Sequence, residues 1–229
     1  MARIFSGAAA RRQVNRAANP VARALLRLGV SPDAVTVAGT LGVLAGAAGF
    51  AARGRFVAAV VIVTAFALTD LLDGAMARLS AAPDRPGTTG PVPGRRFGAL
   101  LDSTMDRIAD GAVFGSLAFW YATGGADPWS LVAALICLVA GQVVSYVKAR
   151  AQGLGFECDV GIAERAERLV LVGLGVLATG LGLPVALPAA LWLLAVLSMV
   201  TVGQRIVHVY RADRMPAASG VGVEREAQG

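Results

Sequence analysis

Four aspartates fall at two places where a long apolar run ends. The first pair lies in Asp70-Leu-Leu-Asp73-Gly74-Ala-Met-Ala77-Arg78 and the second in Gly98-Ala-Leu-Leu-Asp102-Ser-Thr-Met-Asp106. On helices the first pair is separated by about 60° around the axis and the second by about 40°, so each pair shares a face. If the two faces converge, four unneutralised carboxylates repel strongly in a low dielectric. A divalent cation with oxygen ligands, Mg²⁺ or Mn²⁺, relieves that repulsion. A single acid at a helix end is explained well enough by capping or by a salt bridge to Arg78 or Arg107. Two paired sets are not, and Gly74 and Gly98 leave the adjacent backbone open to a ligand, so the pattern reads as a metal site.

The run Asp-x-x-Asp-Gly-x-x-Ala-Arg followed by Gly-x-x-x-Asp-x-x-x-Asp resembles the signature of the CDP-alcohol phosphatidyltransferases, integral membrane enzymes that displace CMP from a CDP-linked lipid, and every fixed position of it is filled. The resemblance implies a pair of metal ions held by Asp70, Asp73, Asp102 and Asp106. Asp106, one turn beyond Asp102, also takes the proton of the acceptor hydroxyl. Gly74, Ala77 and Arg78 face the nucleotide, the small residues allowing close approach and Arg78 donating to phosphate or ribose. Asp33 and Thr36, in Pro32-Asp33-Ala-Val-Thr36, contact the CDP moiety, although helix capping explains Asp33 equally well. The spacing departs from the family: 19 residues, Leu79 to Phe97, separate Arg78 from Gly98. This stretch is longer than usual for the family and rich in Pro and Gly, so it reads as an enlarged cytoplasmic loop.

A second polar concentration comprises Ser145-Tyr-Val-Lys148-Ala-Arg150, Glu164-Arg165-Ala166-Glu167-Arg168 and Arg205. Composition alone allows either ordinary anchoring of helix ends or a pocket for a dianionic phosphate. These stretches resemble the actinobacterial phosphatidylinositol phosphate synthases, which join CDP-diacylglycerol to inositol 1-phosphate, with Ala166 standing where a proline is expected. That resemblance implies Lys148, Arg150, Arg168 and Arg205 as contacts to the acceptor phosphate. A phosphatidylglycerophosphate synthase using glycerol 3-phosphate is the alternative enzyme. A divalent-cation or proton transporter is the alternative outside enzymes, disfavoured because the acids lie toward one end of continuous spans. Asp110, outside the signature, reads as the partner of a nearby arginine.

The elements that must hold these residues are membrane helices. The chain has 229 residues, 56% of them hydrophobic, and a mean hydropathy of +0.64, which excludes a soluble domain. The expected fold is all-α and polytopic, with six transmembrane helices reaching to about Ala52 and over Phe56–Arg78, Phe97–Tyr121, Trp129–Ala151, Leu169–Leu181 and from the Pro188 turn to Val209. Residues 1–30, with six arginines among apolar residues and a break at Pro20, read as an amphipathic interfacial segment binding the anionic leaflet rather than nucleic acid. A cleaved signal peptide is not expected there. Ser31, Pro32 and Asp33 form a helix start.

Lys and Arg concentrate at both termini and in the even-numbered connections, whereas the opposite turns hold only Arg53 and Arg55. The positive-inside rule therefore places both termini and the acids on the cytoplasmic side of a bacterial cell membrane. One domain over residues 1–211 and a disordered tail over 212–229 complete the organisation. Cys137 and Cys158 offer no disulfide framework or metal-knuckle spacing. Homodimerisation is implied by the family alone.

Overall fold

The computed structural model describes residues 8–80 and 95–214, and all regular structure among them is helical. The helices are α1 (Ala8–Arg27), α2 (Pro32–Gly49), α3 (Phe56–Ala67), α4 (Thr69–Ser80), α5 (Arg95–Thr123), α6 (Pro128–Gly153), α7 (Arg165–Gly180) and α8 (Ala186–Asp213), with a short 3-10 turn over Ala51–Arg53. The core of the enlarged loop, 81–94, and the expected tail from 215 onward lie outside the described residues. Four stretches are long and apolar enough to cross a bilayer: Pro32–Arg53, Phe56–Leu79, Pro128–Gly153 and Ala186–Asp213. The protein is thus an all-α, polytopic membrane protein.

Helix starts follow local chemistry. Ser31 accepts from Ala34 N at 3.2 Å to cap α2, and Asp127 caps α6 by accepting from Trp129 N and Ser130 N, with a proline opening each helix. The main core joins α3, α5, α6, α7 and α8 through Phe56, Phe114, Leu117, Cys137, Val172 and Leu191. A second core seats α1 on α4 and the start of α2 through Ala18, Ala22, Val35, Ala75 and Met76. Large apolar side chains such as Val61, Val139, Leu174 and Val196 point outward, as lipid-facing residues do.

One expectation is corrected and two are refined. Pro20 does not break the first segment: α1 runs through it, without the one backbone hydrogen bond that Pro cannot donate. Helical structure in the fifth segment begins at Arg165, four residues before the expected span start at Leu169. The expected span Phe56–Arg78 is matched by Phe56–Leu79, with a one-residue interruption at Leu68 between α3 and α4. At that break the Thr69 hydroxyl donates to Phe66 O at 2.6 Å, so a side chain takes over an acceptor that the helix ladder releases.

The break is accommodated by glycines of α2. A Cβ on Gly39 would come within 2.1 Å of Thr69 Oγ1, and one on Gly42 within 2.1 Å of the Phe66 ring. Small residues let membrane helices approach closely, and here they admit the two side chains that flank the break.

Candidate functional site

The site forms where α4, α5 and α7 meet beside α2. Asp70 on α4 and Asp102 and Asp106 on α5 bring one carboxylate oxygen each to within 4.8 Å of one another. Hard oxygen donors converging from two helices suit Mg²⁺ or Mn²⁺, which the residues present therefore fit. The fourth signature acid turns aside: the Thr36 hydroxyl donates to Asp73 Oδ2 at 2.6 Å, and the Asp73 side chain is buried. Thr36 thereby ties α2 to α4. Asp70, Asp73 and Asp106 all line a narrow cavity of about 40 Å³ floored by Thr36, Gly39 and Thr40.

Around the acids lies a set of guanidinium groups. Arg165, the first residue of α7, places Nη1 at 2.8 Å from Asp106 and 3.8 Å from Asp70, and its Nε donates to Asp110 at 3.2 Å. Arg168, one turn later and only 1% exposed, donates to the other oxygen of Asp110 at 3.0 Å. Arg107 stands 3.7 Å from Asp110 and 3.9 Å from Asp106. Asp110 is therefore the shared partner of three arginines, in keeping with the expectation that it pairs with a nearby arginine. Burial makes such pairing necessary, because an unpaired charge at either end is strongly unfavourable.

The loop before α7 is held from α8. Arg205 donates through Nε to Val160 O at 2.8 Å and through Nη1 to Val144 O at 2.5 Å, and Ala163 N donates to the Thr201 hydroxyl at 3.1 Å. Gly161 adopts φ +141° at this crossing, and a Cβ there would lie 2.6 Å from Thr201 Cγ2. Both the backbone conformation and the close approach require glycine. These contacts fix the start of α7 and with it Arg165 and Arg168.

Next to the acids opens a cavity of about 710 Å³ lined by Asp106, Arg107, Gln142, Ser145, Lys148, Arg165, Arg168 and Arg205 among others. Three of the four basic residues assigned from sequence to the acceptor phosphate, Lys148, Arg168 and Arg205, meet here. Arg150 is exposed near the end of α6 and is not among the lining residues. Lys148 Nζ lies 2.5 Å from Asp159 of the α6–α7 loop.

Of the nucleotide-facing set, Asp33 sits in the first turn of α2, and its Oδ1 is 3.3 Å from where a Cβ on Gly98 would stand. The segment marked by Gly98 thus approaches the start of α2. Ala77 and Arg78 are exposed on α4, and Arg78 Nη1 comes 3.5 Å from the corresponding position at Gly74.

Gln142, whose amide donates to Arg107 O at 3.1 Å, and Arg165 have no role assigned from the sequence, whereas Arg107, expected as a salt-bridge partner of the acids, does stand beside Asp106 and Asp110. For Arg165 the signal was present. It precedes Arg168 by three residues, which on a helix places the two on one face.

Acids converging from two helices beside a cavity rich in basic side chains, inside a polytopic helical bundle, define a membrane protein with a candidate metal site. The CDP-alcohol phosphatidyltransferase family profile matches residues 29–203, and the chain belongs to that family. It is 48% identical over 198 residues to the phosphatidylinositol phosphate synthase of Mycobacterium marinum, covering 85% of this chain and 80% of that one. It is 44% identical over 227 residues to that of Streptomyces avermitilis, covering 96% and 88%. The crystal structure of the Mycobacterium tuberculosis phosphatidylinositol phosphate synthase with CDP-DAG bound superposes with a TM-score of 0.77 at 43% identity, covering 88% of this chain and 100% of that one. The same enzyme in complex with manganese and citrate gives 0.76 at 42% identity, covering 92% and 93%.

Proposed function

We propose that this protein transfers the phosphatidyl group of CDP-diacylglycerol to inositol 1-phosphate, releasing CMP and forming phosphatidylinositol phosphate. The observation that carries the reading is the acid cluster opening directly onto a cavity whose lining includes Lys148, Arg168 and Arg205. Such a cavity suits an acceptor that is itself a phosphate ester.

In this reading Asp70, Asp73, Asp102 and Asp106 hold a pair of divalent ions. An ion bound there supplies Lewis-acid neutralisation of the diphosphate. Gly74, Ala77 and Arg78 receive the nucleotide, with Asp33 and Thr36 at its edge. The cavity arginines and Lys148 orient the acceptor phosphate so that its hydroxyl faces the lipid-bound phosphorus. Asp106 takes the hydroxyl proton as the oxygen–phosphorus bond forms and CMP leaves with the bonding pair. Arg150, outside the cavity lining, contributes positive charge at the helix end.

The same reading assigns six spans: α2, α3 with α4, α5, α6, α7 and α8. Both termini and the acids face the cytoplasm, α1 lies at the interface, residues 1–211 form one domain, and the functional unit is a homodimer. Support for the spans and their orientation comes from the positive-inside distribution and from the apolar outward faces, and the homodimer is what the family resemblance implies.

The test is CMP release by the purified full-length protein with CDP-diacylglycerol and Mn²⁺, supplying inositol 1-phosphate or glycerol 3-phosphate in turn. Release dependent on inositol 1-phosphate is expected. Release with glycerol 3-phosphate alone would instead make the protein a phosphatidylglycerophosphate synthase.

A further inference from the structure

Arg165 occupies a position that its own helix disfavours. It is the first residue of α7, and Arg168 follows in the same turn. The amino-terminal end of a helix carries the positive pole of the dipole, so cations there are repelled. No side chain caps this end: Glu164, the residue before, makes no capping hydrogen bond. What holds Arg165 is the acid cluster, with Asp106 at 2.8 Å, Asp110 at 3.2 Å and Asp70 at 3.8 Å.

Two of those three acids, Asp70 and Asp106, also belong to the trio whose oxygens converge. The third, Asp110, does not belong to it and is additionally held by Arg168 and Arg107. The guanidinium thus stands with one foot on a fixed carboxylate and one on the carboxylates that a divalent ion would use. It also lines both cavities, the narrow one beneath the acids and the open basic one beside them.

We propose that Arg165 is a resident cation of the acid cluster that competes with the divalent ion for Asp70 and Asp106. On ion binding it retains Asp110 and turns its freed Nη1 to the acceptor cavity. The competition follows from valence: carboxylate oxygens engaged by a guanidinium are hydrogen-bonded and partly neutralised, and an ion entering must displace that contact. Metal loading and delivery of a positive group to the acceptor phosphate become one event.

This rests on the metal-site reading given above, and the experiment separates the two. Mn²⁺ binding to the purified full-length protein, without lipid or acceptor, is measured by electron paramagnetic resonance of the free ion for the wild type, Asp102→Asn, Arg165→Gln and Arg165→Lys. Asp102 makes none of the described salt bridges to Arg165, so Asp102→Asn weakens the metal site without removing a carboxylate that the guanidinium contacts. If the wild type binds no Mn²⁺, or Asp102→Asn binds as the wild type does, the metal reading falls and this inference with it.

If that control behaves, Arg165→Gln is expected to bind Mn²⁺ roughly tenfold more tightly, because a competing full charge within about 4 Å is gone. Arg165→Lys, which keeps the charge, is expected to stay within about threefold of wild type. Equal or weaker binding by Arg165→Gln overturns the inference while leaving the metal site intact. Thermal melting without metal guards against misfolding: Arg165→Gln is expected to melt below wild type and to gain more from saturating Mn²⁺. Should Arg165→Gln fail to fold, the milder Arg165→Lys decides, since a loss of Mn²⁺ affinity on that change contradicts competition.

Discussion

Replacing Asp110 by Asn tests the buried charge network most directly. Asp110 is 3% exposed and Arg168 is 1% exposed, with 3.0 Å between Asp110 Oδ2 and Arg168 Nη2. The only other side-chain hydrogen bond described for Arg168 is to Ala163 O at 3.4 Å. The amide keeps the shape and one acceptor but removes the charge, leaving a buried guanidinium uncompensated. Breaking one side of a buried pair costs about 3–5 kcal/mol, and the retained acceptor favours the lower end, about 3 kcal/mol. In a chain of this size each kcal/mol lowers the melting temperature by about 2–4 °C, so a fall of roughly 6–12 °C is expected. The assay is thermal unfolding of the purified protein in detergent, followed by intrinsic fluorescence. The double variant Asp110→Leu with Arg168→Met removes this pair but leaves Arg107 and Arg165 without the shared carboxylate, so it is expected to recover only part of the loss. An Asp110→Asn protein melting within about 2 °C of wild type would refute the claim that this carboxylate holds Arg168 in place.

Asp106→Asn is expected to lower CMP release by about 10²–10⁴-fold while CDP-diacylglycerol is still bound, measured by initial rates beside equilibrium lipid binding; activity above about a tenth of wild type removes this group from proton transfer. Gly39→Ala, whose new methyl would meet Thr69 Oγ1 at 2.1 Å, is expected to destabilise the protein by about 1–3 kcal/mol. Gly173→Ala, with nothing within 4 Å, serves as the control, and equal melting temperatures for the two contradict the close α2–α4 approach. Thr36→Val deletes the 2.6 Å hydrogen bond to Asp73. It is expected to cost about 1.5–3 kcal/mol, read as a lower melting temperature that Thr36→Ser largely restores.

Residue types and periodicity made the acid helices legible, because carboxylates at the ends of apolar runs stand out against a lipid-facing background. The helix start at Ser31 was legible for the same reason, since its chemistry is local. The break at Leu68 was not. Its neighbourhood, Thr64 to Asp70, holds neither Gly nor Pro, and the cause lies on another helix, where Gly39 and Gly42 make room for Thr69 and Phe66. Pro20 misled because its helix continues through it. Arg165 is hidden when the stretch before Leu169 is read as a connection rather than helix. Without helical phase, its shared face with Arg168 does not show. Arg150 and Lys148 differ by two residues, which on a helix points them to different sides, and only Lys148 reaches the cavity.

The two-piece span sets a depth for the chemistry. Counting from Phe56, beside the Arg53 and Arg55 turn, Asp70 lies about 21 Å along the axis, well short of the roughly 30 Å hydrocarbon thickness. Along α5, Asp106 is about 15 Å from Arg96. In the proposed reaction the lipid phosphorus is drawn in past the ends of both helices, and the acceptor reaches it through the cavity that Arg107, Arg165 and Arg168 line.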